Sequence, residues 1–283
     1  MHSQDERFAV IKVVDLVKSF DDRLVLDGIS LEVKRGETVV IMGGSGCGKS
    51  TLLKHMIGAL WPDKGYVALL GQNLSSLDED DLDEIRKRFG ILFQSGALFN
   101  SMTVEENVAL PLREHTELED DTIEIMVQIK LELVGMRHAA KLMPSEISGG
   151  MKKRAGLARA IALDPEILFY DEPSAGLDPV MSAEIDQLIM DLARKQGVTS
   201  VVVTHEMGSA FRIADRMVML DQGKVLHAGT RQEFEAIRDS EPCGDATLDQ
   251  VRQFLRGEAR GPMSNRRAAV EYAADILRIA GQG

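Results

Sequence analysis

The residues Gly43-Gly44-Ser45-Gly46-Cys47-Gly48-Lys49-Ser50 have the types and spacing to do chemistry together. They match GxxxxGK[ST], the pattern of a phosphate-binding loop. Glycines let backbone N–H groups turn inward around a polyphosphate, and a helix starting at the end of the loop adds the partial positive charge of its N-terminus. In that arrangement Lys49 reaches the β- and γ-phosphates, the Ser50 hydroxyl ligates Mg²⁺, and Thr51 opens the helix. The flanks agree, with the apolar run Thr38-Val39-Val40-Ile41-Met42 before the loop and the helix-like Thr51-Leu52-Leu53 after it. Cys47 reads as a small filler, and its place beside a nucleotide would make it sensitive to thiol reagents.

A pair of acids forms the next candidate group. Ile167-Leu168-Phe169-Tyr170 is a continuous apolar run of the kind that fills a buried parallel strand, and it ends in Asp171-Glu172-Pro173. Carboxylates in that position are costly to bury unless they meet a cation or a substrate proton. A phosphate loop brings the cation, so Asp171 is expected in the Mg²⁺ shell and Glu172 is expected to polarise an attacking water. Ser200-Val201-Val202-Val203 is another buried strand and ends in Thr204-His205-Glu206, where His205 is either a satisfied surface or core residue or, beside Asp171-Glu172, a group that reaches a γ-phosphate. Gln94 follows the short strand Gly90–Phe93, and Ser148-Gly149-Gly150 at a helix start is a second ready-made anion site. Asp178-Pro179 begins a helix, and capping alone accounts for Asp178 as well as a site role does.

These groups need a scaffold, and the chain supplies one in order. Val10–Leu16 and Val25–Val33 alternate with partial period two, and Arg35-Gly36-Glu37 turns into the strand that feeds the loop. A helix is predicted from Thr51 to Leu60, stopped near Trp61-Pro62, followed by a strand over Tyr66–Gly71. Asp78–Arg88 reads as a solvated helix with Ser76 as its cap. From Met102 to Met143 the pattern is helical: Asp121 or Thr122 caps a helix whose buried face carries Ile123, Met126 or Val127, Lys130 and Leu133 or Val134, with Pro144 barring its continuation. After Ser148 a helix puts Met151, Ala155, Ala158, Ile161 and Ala162 on one face and Lys152, Lys153, Arg154 and Arg159 largely off it. Val180 or Met181, Ile185, Leu188 or Ile189 and Leu192 form the buried side of the helix after Asp178, which Gly197 ends. Met217–Leu220 and Val225–Gly229 make a hairpin around Gly223. Beyond Thr230 come a helix over Glu233–Arg238, a linker from Ser240 to Thr247, a helix over Leu248–Arg256, and a tail from Asn265 to Ala280. The tail has one apolar face that packs either on the body or on a partner.

Composition sets the class. The 283 residues are 44% hydrophobic and 28% charged, and the net charge of −12 argues against a general attraction to nucleic acid. No apolar run approaches membrane-spanning length and the first residues lack a signal-peptide core, so the chain is expected in the cytosol unless a partner holds it at a membrane. The cysteines, Cys47 and Cys243, offer no disulfide framework.

Taken together, Gly43–Ser50, Gln94, Ser148-Gly149-Gly150, Ile167–Glu172, Ser174-Ala175-Gly176-Leu177-Asp178 and His205 occur in the order of the nucleotide-binding subunits of ABC transporters, and the chain resembles that family up to about Gly229. The resemblance implies an α/β P-loop NTPase with a RecA-like core, an antiparallel β lobe near the N-terminus and a helical lobe over about 94–162. Residues 1–229 would then form the ATPase domain and residues 230–283 a C-terminal helical extension. It also implies an ATP-sandwich dimer in which Lys49 and Ser50 of one copy face Ser148 and Gly150 of the other. Phe20 matches the aromatic that stacks on adenine, Gln94 the Mg²⁺ and coupling glutamine, Glu172 the general base, His205 the γ-phosphate switch, and Asp178 the acid that communicates across the dimer. The Gln that usually follows Ser-Gly-Gly is Met151 here. That departure, the basic cluster after it, Leu92–His115, Val251-Arg252-Gln253-Phe254-Leu255 and Gly261-Pro262 resemble the ATPases of the Mla and MCE lipid-transport systems. The implied role is to power phospholipid movement that maintains outer-membrane lipid asymmetry. The implied partners are an integral membrane permease, an MCE-domain lipid-binding subunit and a small STAS-like subunit, with the chain peripheral on the cytoplasmic face of the inner membrane. The alternatives are the ATPase of a polar-solute importer and a soluble non-transport ABC ATPase.

Overall fold

Alternation in the first strands builds a hairpin. In a computed structural model that describes residues 9–21 and 23–258, β1 (Ala9–Phe20) and β2 (Arg23–Lys34) pair antiparallel from Ala9 opposite Lys34 to Phe20 opposite Arg23. β1 outruns its predicted end because a bulge resets the pleat. Asp15 sits at φ 46, its N–H donates to Ser30 Oγ, and Leu16 returns to the core side. β3 (Thr38–Gly43) follows, then α1 (Lys49–Met56), β4 (Lys64–Leu69) and the short β5 (Gln72–Asn73), which complete a sheet in the order β2-β1-β4-β5.

α1 stops at Met56, well before Pro62. Gly58 takes φ 66, its N–H donates to His55 O, and Ala59 N–H reaches back to Lys54 O at 2.9 Å, so a glycine cap ends the helix before proline is reached. α2 (Glu79–Arg86) is capped by Asp78, which accepts the Asp81 N–H, rather than by Ser76. After β6 (Phe89–Leu92) come α3 (Val104–His115), α4 (Asp120–Leu133) and α5 (Gly149–Ala160). α4 starts one residue before the predicted cap and has Glu119 at its cap position without a side-chain bond. Ile123, Val127, Lys130 and Val134 face inward as expected, while Leu133 is exposed. The helix ends at Leu133, with Gly135 at φ 69 just beyond its cap, not at Pro144.

The remaining elements alternate: β7 (Ile167–Asp171), α6 (Pro179–Gln196), β8 (Thr199–Val203), α7 (Met207–Ile213), β9 (Arg216–Asp221), β10 (Lys224–Thr230), α8 (Arg231–Asp239) and α9 (Ala246–Arg256). On α6, Ile185, Ile189 and Leu192 are buried, whereas Val180 is exposed. The second sheet has the order β10-β9-β3-β8-β7-β6 and is parallel except for the β9–β10 hairpin. Burial on both faces explains its unbroken apolar strands. Along β3, Val40 and Met42 join one core, with α3, α4, α5 and α9 residues, while Val39 and Ile41 join the other, beneath the first sheet. Phe234 of α8 and Val251 of α9 are buried in the first of these cores, so both helices pack on the body. The tail from Asn265 to Ala280 lies outside the described residues.

Candidate active site

Strand order brings the candidate groups into one row. Ile41 pairs with Val203 and Val203 with Asp171, so the carboxyl ends of β3, β8 and β7 lie level. The loop after β3 carries Gly44–Gly48 and leads into Lys49 at the start of α1, the turn after β8 carries His205, β7 ends in Asp171 with Glu172 next, and the loop after β6 carries Gln94. Ligands of open α/β sheets bind at this carboxyl edge.

The loop's glycines answer to close backbone approach. A β-carbon at Gly43 would lie 2.3 Å from Leu220 O and 2.7 Å from Cys47 Sγ; one at Gly48, at φ 110, would lie 2.7 Å from Leu26 Cδ2. Ser45 and Gly46 are exposed, and Gly44 is half-buried. Lys49 Nζ donates to Gly43 O at 2.8 Å and Gly44 O at 3.1 Å, which bends its side chain back along the loop. Gly48 offers no side-chain cap to α1, so the first-turn amides, including those of Ser50 and Thr51, have no side-chain acceptor. Cys47 is 5% exposed and burial pushes its thiol pKa up, so it is shielded rather than reactive, contrary to the expectation from its place in the loop.

Glu172 is the most constrained residue of the row. It sits at φ 49, its N–H donates to Val203 O at 2.8 Å, and its Oε2 accepts the His205 N–H at 3.3 Å. His205 Nδ1 is 2.8 Å from the same oxygen. Asp171 is half-buried; burial, with Glu172 adding to it, pushes its carboxyl pKa up, while Lys54 and Lys49 pull the other way. From α5, Lys153 Nζ donates to Ala175 O at 2.6 Å and Glu172 O at 3.3 Å. The lysine is buried and desolvation lowers its pKa.

Ser148 caps α5, its hydroxyl accepting the Met151 N–H at 3.3 Å. Gly149 is exposed, and Gly150 is buried under Met181, whose Cε would lie 2.0 Å from an added β-carbon. Asp178 caps α6, accepting the N–H groups of Val180 and Met181 at 2.9 and 3.0 Å. Gln94 is exposed, and Phe20, 45% exposed, has the Lys18 ammonium 5.6 Å from its ring centroid. The sequence reading set Lys153 off the buried face of its helix; the structure puts it inside. Its spacing of three and four residues before Gly156 and Leu157, both buried, is the signal that places it there.

The donor set suits Mg²⁺. Ser50, Gln94 and Asp171 offer hydroxyl, amide and carboxylate oxygens, and Asp171 makes no ion pair among the described residues. No group of three His, Cys, Asp or Glu side chains among the described residues holds a metal alone.

Comparison with known proteins then decides the family. The pattern described as "ABC transporter" matches residues 26–175, more than half of the chain. The chain belongs to the ABC transporter family. It is 43% identical over 268 residues, 95% of its length and 98% of the relative's, to the intermembrane phospholipid transport system ATP-binding protein MlaF of Haemophilus influenzae. The MlaF of Escherichia coli K12 is 46% identical over 256 residues, 90% of this chain and 92% of that one. The probable ribonucleotide transport ATP-binding protein mkl of Mycobacterium leprae is 43% identical over 253 residues, 89% of this chain and 70% of that one. Among solved structures, the dimeric post-hydrolysis ATP-binding cassette MJ0796 bound to ADP and Pi superposes with a TM-score of 0.72. It is 31% identical and covers 78% of this chain and 98% of its own. CbiO1 of Clostridium perfringens gives 0.74 at 30% identity, covering 81% of this chain and 91% of its own. The fold is that of an ABC ATPase, and the RecA-like core and antiparallel β sheet expected from the sequence are both present.

Proposed function

We propose that this chain is the ATP-hydrolysing subunit of a membrane transport system that moves phospholipids between membranes. The observation that carries the reading is the match to intermembrane phospholipid transport ATP-binding proteins along nearly the whole of both chains. The ribonucleotide transport relative, 43% identical, favours a second reading, a polar-solute transporter; its match leaves almost a third of that protein uncovered. Membrane purification of the tagged chain, with identification of the bound proteins and lipids, separates the two. Co-eluting phospholipid supports the first, and a solute-binding protein in its place supports the second.

In the proposed mechanism Phe20 stacks on adenine through its exposed ring face, and the loop 43–48, the amides of Ser50 and Thr51 and the Lys49 ammonium hold the phosphates. Ser50, Gln94 and Asp171 would hold Mg²⁺, which when bound would supply charge neutralisation at the phosphate oxygens. Glu172 accepts a proton from water as the water oxygen attacks the γ-phosphorus; the bond to the bridging oxygen breaks and ADP leaves. His205, bonded to Glu172 in the single chain, turns toward the γ-phosphate when nucleotide binds. Ser148, Gly149 and Gly150 lie on a different element from the loop and serve the nucleotide of a second copy, with Asp178 between the sites. A cassette of the same fold has been solved as a dimer.

Residues 1–229 form the ATPase domain in this reading, with its helical lobe over about 94–162, and residues 230–283 form the extension. The partners are an integral permease, an MCE-domain lipid-binding subunit and a STAS-like small subunit, and the chain sits at the cytoplasmic face of the inner membrane. In this reading the permease supplies the attachment; no helix among the described residues is long and apolar enough to cross a membrane.

A further inference from the structure

Lys153 is 5% exposed, and among the described residues its ammonium bonds only main-chain carbonyls, Ala175 O at 2.6 Å and Glu172 O at 3.3 Å. Buried ammonium groups are costly, and lysine is rarely so deep unless paired with an acid. Packing does not call for a charge here, because Ala155, Leu157 and Ala158 fill the rest of the buried side of α5 with apolar groups.

Both acceptors belong to one turn, closed by Ala175 N–H donating to Glu172 O at 3.2 Å. Within it Glu172 adopts φ 49, a left-handed conformation that a β-carbon disfavours and that persists only when its surroundings over-determine it. Two of those surroundings come from the strand β8 and the turn after it: the Val203 carbonyl and the His205 N–H. The fixing point from the other side is Lys153.

We propose that Lys153 is a positioning residue for Glu172: its ammonium, carried by the helix that begins at Ser148, fixes the turn that aims the carboxylate. This rests on the reading of Glu172 as the general base. The same helix holds a second loop in the same manner. Arg159 donates to Ala97 O at 2.7 Å and Gly96 O at 3.1 Å, in the loop that begins at Gln94. The structure thus ties α5 by carbonyl contacts to the loops after β6 and β7. The element that presents Ser148 to a partner's nucleotide also sets the aim of Glu172 at its own.

The test uses the purified full chain, with ATP turnover and equilibrium ATP affinity measured separately. Lys153→Met preserves length and burial and removes the donors. It is expected to lower kcat about ten- to a hundredfold, the scale of a 1 Å misplacement of a reacting group, with ATP affinity unchanged. Lys153→Arg is expected to recover most of the loss. An unchanged kcat in Lys153→Met overturns the proposal, and so does a fall in kcat matched by an equal loss of ATP affinity. Should Lys153→Met lack a cooperative thermal transition, Lys153→Leu, which also removes the donors, is held to the same two criteria. Glu172→Gln run alongside separates the layers. Wild-type turnover in that variant defeats the general-base reading, whereas its inactivity beside a fully active Lys153→Met defeats the positioning role alone.

Discussion

Replacing Glu172 with Gln separates chemistry from binding. Glutamine has the shape of glutamate and keeps an oxygen to accept the His205 N–H, which lies at 3.3 Å from Glu172 Oε2, and the substitution is expected to leave the backbone at its φ of 49. The folded state exchanges a charge-assisted hydrogen bond for a neutral one, a difference of about 1 kcal/mol. For a domain of this size that moves Tm by roughly 2–4 °C. Nucleotide affinity should hold or rise, because a negative charge leaves the neighbourhood of the phosphates. Turnover should not hold: a general base supplies about 10²–10⁴ in rate, or roughly 3–5 kcal/mol of barrier. The assay pairs steady-state phosphate release with size-exclusion chromatography in ATP, and the expected outcome is a nearly inactive protein that accumulates as an ATP-bound dimer. Phosphate release within a few-fold of wild type would refute the assignment. So would loss of ATP binding, which would put Glu172 in the phosphate site.

Other substitutions and reagents probe the remaining parts. Lys49→Ala removes a charge-assisted contact worth about 1.5–3 kcal/mol, so ATP affinity measured by calorimetry should fall by roughly ten- to a hundredfold; unchanged affinity would count against the loop. Ser148→Arg leaves ATP binding by the separate chain intact and stops hydrolysis, because the bulk enters only the paired site; a retained rate would argue against a shared site. Chelating Mg²⁺ with EDTA should abolish phosphate release, and restoring the ion should bring it back. Burial raises the Cys47 pKa, so its thiolate becomes appreciable only at more alkaline pH than for an ordinary thiol. At neutral pH iodoacetamide should therefore label the exposed Cys243 quickly and Cys47 only after unfolding, as peptide mass spectrometry would read.

Much of this was legible in the sequence, for a definite reason. The strands feeding the site are buried on both faces, so Thr38–Met42, Ile167–Tyr170 and Ser200–Val203 stand out as unbroken apolar runs, and each ends in the residues that matter. Helix ends were less legible where two stop signals compete. Pro62 was the louder one, but Gly58 acts first because its left-handed cap satisfies the last carbonyls of α1. Lys153 was misplaced because lysine on an amphipathic helix reads as solvent-facing, and only the tertiary turn 172–175 gives its ammonium the partners that permit burial. The sequence sets His205 at a strand end beside Asp171-Glu172, but its bond to the Glu172 carboxylate depends on β7 and β8 being neighbours with level ends. Cys47 shows the converse, because its position beside a nucleotide suggested reactivity while the packing of the loop on Leu220 removes it.

A site shared between two copies is tested most directly by ATP turnover per chain as the purified protein is diluted at saturating Mg²⁺-ATP. Turnover per chain should fall steadily with dilution as pairs come apart, while ATP binding to each chain persists. A rate per chain that stays constant down to concentrations where sizing shows single chains alone would contradict it.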